Sequence, residues 1–231
     1  MKHCLRMTGA QHSELRSHLF PGDGNEAVAL LVCGRRLGTS RHVFVVQRVV
    51  PVAHHLCDRR PDRITWPTGV IDELIKECFG KGLAIVKVHS HGANYRQFSS
   101  LDDKSDQSLF ASVTSLLDDA LSHGSLIMLP DGELFGRVVG EGGDVEAAFD
   151  SIMAVGDDIR LWSNSDCTDP HAGFSLRHAQ AFGRGTTALL RTLSIAVIGC
   201  SGTGSIVIEQ LARLGVGRLV LVDRKRTSKP S

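Results

Sequence analysis

The stretch that most limits how this chain can fold is GLAIVKV, residues 82 to 88. An apolar run of this length, opened by a glycine, reads as a buried strand. Two more runs rich in Val and Leu, EAVALLVCGRR and HVFVVQRVVPV, read as strands joined by the loop LGTSR. SLIMLP and ELFGRVVG read as a strand pair around a DG turn. Helical periods separate these runs. Ser13 is a candidate cap for a short first helix carrying Leu15, Leu19 and Phe20. Thr68 is the candidate cap for TGVIDELIKECFGKG, which the Gly80/Gly82 region stops. SDQSLFASVTSLLDDALSHG sets Leu109, Val113, Leu116, Leu117 and Leu121 at helical spacing. A helix around 144 to 155 and a strand near 159 to 162 are expected next, while 55 to 66 is polar and irregular. The fold class is α/β, a mixed sheet flanked by helices.

Composition narrows the function. A length of 231 residues suffices for one large domain or one and a half ordinary ones. A net charge of +1 and 5% aromatic residues give no support to a nucleic-acid or membrane partner. Six cysteines, Cys4, Cys33, Cys57, Cys78, Cys167 and Cys200, form no CxxC pair and read as free thiols in a reducing compartment. The N-terminal MKHCLRMTGA lacks the apolar core of a signal peptide, and no stretch approaches the ~18 apolar residues of a spanning helix. A cytoplasmic location is expected.

The chemistry lies directly after the buried strand, in HSHGANYRQFSSLDD, residues 89 to 103. Residues i and i+2 of a strand point to one face, so His89 and His91 can present both imidazoles in one direction. Asp102, eleven positions beyond His91, can return to them if residues 99 to 110 open a helix. Two neutral imidazoles and one carboxylate suit Zn²⁺ and leave its fourth position to water, which ionises near neutrality. A hydrolase also needs a proton acceptor and a group that stabilises the oxyanion.

His89, His91, Ser99 and Asp102 satisfy H-x-H-x7-S-x2-D without a gap. This resembles the JAMM motif of the MPN+ family, zinc metallopeptidases that cleave ubiquitin and related modifiers from their conjugates. The family motif includes an upstream glutamate at the start of an apolar strand, where Glu26 stands in GDGNEAVALLVCG; Glu14 fits worse. The resemblance implies that His89, His91 and Asp102 are zinc ligands. It implies that Glu26 is the general base and Ser99 the hydrogen-bond donor to the oxyanion. Ser90 points to the opposite face, and Asp103 reads as a solvated or helix-N-terminal charge. Gly92 and Phe98 stand where many members have proline. The remaining histidines read as surface or structural, with a reservation for the His54–His55 pair.

A second pattern closes the chain. LSIAVIGCSGTGSIVIEQLARLGVGRLVLVD sets Gly199, Gly202 and Gly204 between a strand and a helix, with Asp223 ending a second strand. With the helical lead-in FSLRHAQAFGRGTTALLRTL, this resembles the ThiF/E1 superfamily, which adenylates the C-termini of ubiquitin-like proteins and sulfur carriers. The resemblance implies nucleotide contacts at Gly199, Gly202, Gly204 and Asp223, although Ser201 replaces a family glycine. One incomplete Rossmann-like β-α-β unit does not make a doubly wound sheet, so ATP binding is not expected. Self-association through that unit is an expectation.

The domains are expected at 1–162 (JAMM/MPN+) and 176–231 (truncated ThiF/E1-like), joined by a linker at 163–175. The leading function is a zinc-dependent peptidase or isopeptidase acting at the C-terminus of a ubiquitin-like or sulfur-carrier protein. The alternative is a fragment of a ThiF/E1-like adenylating enzyme whose N-terminal domain is accessory.

Overall fold

The computed structural model describes residues 1–92, 95–118, 120–163 and 184–223. Two compact units divide it, Met1–Ser165 and Asp166–Ser231. Positions 164–175 of the expected linker, the expected helix before residue 184, and Cys167, His171 and His178 lie outside the described residues.

The first unit is built on one nine-stranded mixed sheet. Its strands are β1 (Lys2–Thr8), β2 (Val28–Leu37), β3 (Arg41–Pro51), β6 (Ala84–Ser90), β7 (His123–Met128), β8 (Leu134–Val139), β9 (Val145–Ala148), β10 (Ser151–Val155) and β11 (Ile159–Ser163). Their order across the sheet is β11-β10-β1-β3-β2-β6-β7-β8-β9. A two-stranded hairpin, β4 (Asp58–Arg60) with β5 (Arg63–Thr65), stands apart from it. Three helices flank the sheet: α1 (Gly9–Leu19), α2 (Gly69–Cys78) and α3 (Ser100–Leu117).

The GLAIVKV run earns its apolar character by position. β6 pairs with β2 on one side and β7 on the other, and every residue from Ala84 to Ser90 is buried. Strand alternation then assigns the two faces. Ala84, Val86 and Val88 join Ala29, Leu31 and Cys33 in a core that includes Leu15 and Leu19 of α1. Ile85 joins Leu30 and Val32 in a second core with Ile71, Leu74, Phe110 and Val113 of α2 and α3. Lys87 and His89 share the parity of Ile85 and face the α3 side.

The structure corrects several expectations. Lys2–Thr8 is a strand that runs parallel to both β3 and β10, and the first helix begins after it. Thr8, not Ser13, caps that helix: its side chain accepts from Gln11 N–H while Gln11 Oε1 accepts from Thr8 N–H. Residues 144–155 form β9 and β10 instead of a helix. Val145, Ala148, Phe149, Ile152 and Met153 do have helical spacing, but β10 finds its partner in β1, some 147 positions earlier. Pairing with so distant a partner overrides the local period. Thr68 makes no side-chain capping bond. Residues 55–66 hold a 3₁₀ turn and the β4–β5 hairpin.

His123 shows how tightly this sheet is sealed. It is fully buried, its Nδ1 accepts from Ile85 N–H at 3.1 Å, and its ring stacks on Phe110. Burial, with the nearby Arg35 cation, pushes its pKa down to about 3. A histidine neutral in the fold but protonated when unfolded costs stability as pH falls below its unfolded value of 6.5. Stability is therefore expected to decline by up to about 1.4 kcal/mol per pH unit between pH 6 and 4 through this residue. Denaturant unfolding at pH 7, 6 and 5 measures the slope, and His123→Gln should reduce it.

The second unit contains α4 (Arg184–Thr192), β12 (Ser194–Ile198), α5 (Thr203–Arg213) and β13 (Arg218–Val222). β12 and β13 pair in parallel from Ser194↔Arg218 to Ile198↔Val222, with α5 as the crossover. The expected β-α-β unit is present. Ile198, Ile206 and Leu221 are among its exposed apolar side chains. Among the described residues no helix is long and apolar enough to cross a membrane.

Candidate metal centre

His89 is fixed by the sheet, because its backbone is paired with Val28 on β2 and Ile127 on β7. His91 lies just past the strand end, yet its N–H still donates to Met128 O at 3.0 Å, which prolongs the extended path. The two Nε2 atoms consequently face each other at 3.0 Å.

The third donor arrives on α3. Ser99 is the N-cap of that helix: its Oγ accepts from Asp102 N–H at 3.1 Å, and Asp102 Oδ2 accepts from Ser99 N–H at 2.7 Å. The S-x2-D spacing is thus a capping box, worth about 1 kcal/mol to the helix start, as well as a motif of chemistry. It points the Asp102 carboxylate back at the histidines, with Oδ1 3.1 Å from His89 Nε2 and Oδ2 3.5 Å from His91 Nε2. Ser99 Oγ also donates to Asp102 Oδ2 at 2.7 Å.

Glu26 completes the arrangement, with Oε1 3.8 Å from His91 Nε2. Glu26, His89, His91, Ser99 and Asp102 all line one cleft of about 340 Å³, whose lining also includes Ile64, Trp66, Tyr95 and Leu101. The structure therefore brings together all five residues singled out in this region.

Electrostatics follow from this crowding. Burial, reinforced by Asp102 and opposed by His91, pushes the Glu26 carboxyl up to about 7. Burial holds His89 down to about 4 despite its contact with Asp102. Burial works against charge on His91 too, but Asp102, Glu26 and the Tyr95 carbonyl outweigh it and raise its pKa. For Asp102, burial favours the neutral acid, yet hydrogen bonds from His89, His91 and Ser99 hold it well below the usual carboxylate range.

The donor set fits a tetrahedral cation. At metal–ligand bonds of 2.0–2.2 Å, donors in such a site stand roughly 3.3 Å apart. Here the two Nε2 atoms are 3.0 Å apart and Asp102 Oδ1 is 3.1 Å from His89 Nε2, while the other Asp102 oxygen, Oδ2, lies 3.5 Å from His91 Nε2. Among the described residues, the donor atoms of His89, His91 and Asp102 cluster closely enough to hold an ion. His91 Nδ1 lies 3.2 Å from the Tyr95 carbonyl, which would fix its proton there and leave the Nε2 lone pair free. His89 Nδ1 is buried without a hydrogen-bond partner among the described residues.

Some contributors were not legible in the sequence. Ser90 does point to the opposite face, but there its Oγ accepts from Ala27 N–H at 2.8 Å and ties the start of β2 to the end of β6. Asp103 is paired with Arg137. Lys87, two residues before His89, pairs with Asp106, one helical turn after Asp102, so α3 is bound to β6 at two successive levels. Arg137 also bonds Asp106 and lies 3.8 Å over the Phe98 ring, whose other neighbours include His89 and Phe135. The phenylalanine standing where proline was expected is thus held by packing. A lysine inside an apolar strand is the one sequence signal that could have revealed this network.

The glycine turn of the second unit has its own geometry. Gly199 and Gly202 have φ of +90° and +54°, and a Cβ at Gly204 would lie 1.7 Å from Gly199 O. Asp223 Oδ2 accepts from Cys200 N–H at 2.7 Å across the turn. His54, held in reserve with His55, stacks on His18 at 4.5 Å and bonds its carbonyl.

Comparison with known proteins adds family context. The family model described as prokaryotic homologs of the JAB domain matches residues 9–141, and the ThiF family model matches 175–230. tRNA threonylcarbamoyladenosine dehydratase from Bacillus subtilis (strain 168) is 44% identical over 48 residues, 21% of this chain. The match spans only 19% of that relative's length. Among solved structures, the solution structure of protein DSY2949 from Desulfitobacterium hafniense aligns over 65% of this chain and 92% of its own. Its TM-score is 0.42 and its identity 23%.

Proposed function

The chain belongs to the prokaryotic homologs of the JAB domain, and from that premise we propose that it is a zinc-dependent peptidase or isopeptidase. Its substrate is the C-terminus of a ubiquitin-like or sulfur-carrier protein. The observation that carries the activity is the convergence of His89, His91 and Asp102 beside Glu26 in a single cleft. The substrate class rests on the two families, JAB and ThiF, matched in one chain.

When bound by His89, His91 and Asp102, zinc would supply Lewis acidity toward the scissile carbonyl and toward water. The chain's own residues divide the remaining work. Glu26 takes the proton from the attacking water at its carboxylate and hands it to the leaving amine, which a pKa near neutrality suits. Ser99 can rotate its hydroxyl proton from Asp102 Oδ2 to the oxyanion while keeping its cap bond from Asp102 N–H. Ile64, Trp66 and Leu101 line the cleft and limit its water.

The test is incubation of the full chain with zinc and ubiquitin-like or sulfur-carrier fusions, followed by intact-mass analysis. Cleavage directly after the carrier's C-terminal residue is the expected result. Failure to cut any carrier fusion, with zinc bound at one equivalent, would refute the reading. His89→Ala should abolish both stoichiometric zinc and cleavage, and added zinc should raise the melting temperature of the parent protein but not of this variant.

A further inference from the structure

Glu26 is not held by the sheet. β2 begins only at Val28, and the chain before Glu26 is a turn through Gly22 and Gly24 with φ of +95° and +76°. What fixes the residue comes from β4, part of the stretch 55–66 that reads as irregular. Arg59 Nε donates to Glu26 O at 2.8 Å, and its Nη2 donates to Asn25 O at 3.1 Å. Both Nη atoms also grip Asp23, at 2.6 and 3.1 Å. The adjoining Arg60 carbonyl accepts from Glu26 N–H at 2.8 Å. The Arg59 side chain is 9% exposed, against 43% for its partner Asp23, so the guanidinium is enclosed by the segment it binds.

We propose that Arg59 is a positioning residue for Glu26, a claim that rests on the reading of Glu26 as the base. The carboxylate's direction depends on the backbone at 25–27. Ala27 is anchored by Ser90 Oγ, whereas Asn25 and Glu26 are anchored by the Arg59 fork and its neighbour. Without the fork, nothing but the Arg60 bond ties the Glu26 backbone to the rest of the fold among the described residues. Only a planar guanidinium serves two carbonyls and a carboxylate at once; a lysine ammonium is a point donor on a flexible stem. Arg59 does not line the cleft, so it acts through Glu26 and not on substrate.

The experiment compares Arg59→Ala, Arg59→Lys and Asp23→Asn in the full chain with zinc. Two readouts are used: steady-state kinetics on the carrier fusion, and amide hydrogen exchange at residues 25–27 and 28–33. For Arg59→Ala, kcat should fall about 10- to 100-fold with KM within about twofold, since misplacement of a reacting group by about 1 Å has that effect. Zinc should stay at one equivalent. The Glu26 amide should exchange at least about tenfold faster while β2 amides are unchanged. Arg59→Lys should not restore kcat, and Asp23→Asn, which spares both carbonyl bonds, should lie between.

Unchanged Glu26 exchange overturns the proposal whatever the kinetics. Faster exchange that extends through β2, with zinc lost, also overturns it, because Arg59 would then be merely structural. Should the parent protein cleave no fusion, the reading of Glu26 fails, while the exchange contrast still decides whether Arg59 holds that segment.

Discussion

Glu26→Gln is expected to reduce cleavage by about 10²- to 10⁴-fold, the usual contribution of a positioned general base. The substitution preserves shape but cannot accept a proton. The three candidate metal ligands are untouched, so zinc should remain at one equivalent. Stability argues in the same direction. Glu26 is 8% exposed, and burial is the main reason its carboxyl is pushed up to about 7. An amide has no charge to desolvate, so the zinc-free variant should be as stable as the parent or more so. Metal analysis, kinetics and denaturant unfolding on one preparation separate loss of the base from loss of the fold. Full activity in this variant would remove Glu26 from the mechanism.

Asp106→Ala is expected to destabilise the fold by about 3–5 kcal/mol, because it leaves buried cations without their carboxylate. Asp106 is 1% exposed and receives both Lys87 and Arg137. Its pKa is lowered: burial opposes ionisation, but Lys87, Ser125 and Arg137 outweigh it. Arg137 retains Asp103, whereas Lys87, at 5% side-chain exposure, has no comparable substitute among the described residues. Replacing both members of the pair, Lys87→Met with Asp106→Leu, should recover most of the loss, since the cost comes from the uncompensated charge. The denaturant midpoint reads both effects. A loss below about 1 kcal/mol in the single variant would mean that water reaches the pair.

The legible part of the site was the part written in short spacings. His89 and His91 are two apart on one strand, and Ser99 and Asp102 are three apart at a helix start, so local backbone geometry nearly dictates how each pair points. The glycine turn between β12 and α5 is legible for the same reason. Strand β1 was not: KHCLRMT mixes polar and apolar residues, and its two sheet partners begin at Arg41 and Ser151. The strands at 145–155 were misleading, because their apolar spacing also suits a helix. Arg59 was hidden in a polar stretch whose meaning depends on which backbone it reaches.

The sequence by itself determined the donor set, the buried strand that carries it and the helix cap that returns Asp102, since each is a matter of residue type at short range. Only the tertiary structure decided what holds these groups in place. The Lys87–Asp106 pair, the Ser90 bond to Ala27 and the Arg59 fork on Glu26 join segments 19 to 63 positions apart. No local preference encodes such contacts; packing of the sheet against α3 and of β4 against the Glu26 turn brings them into existence.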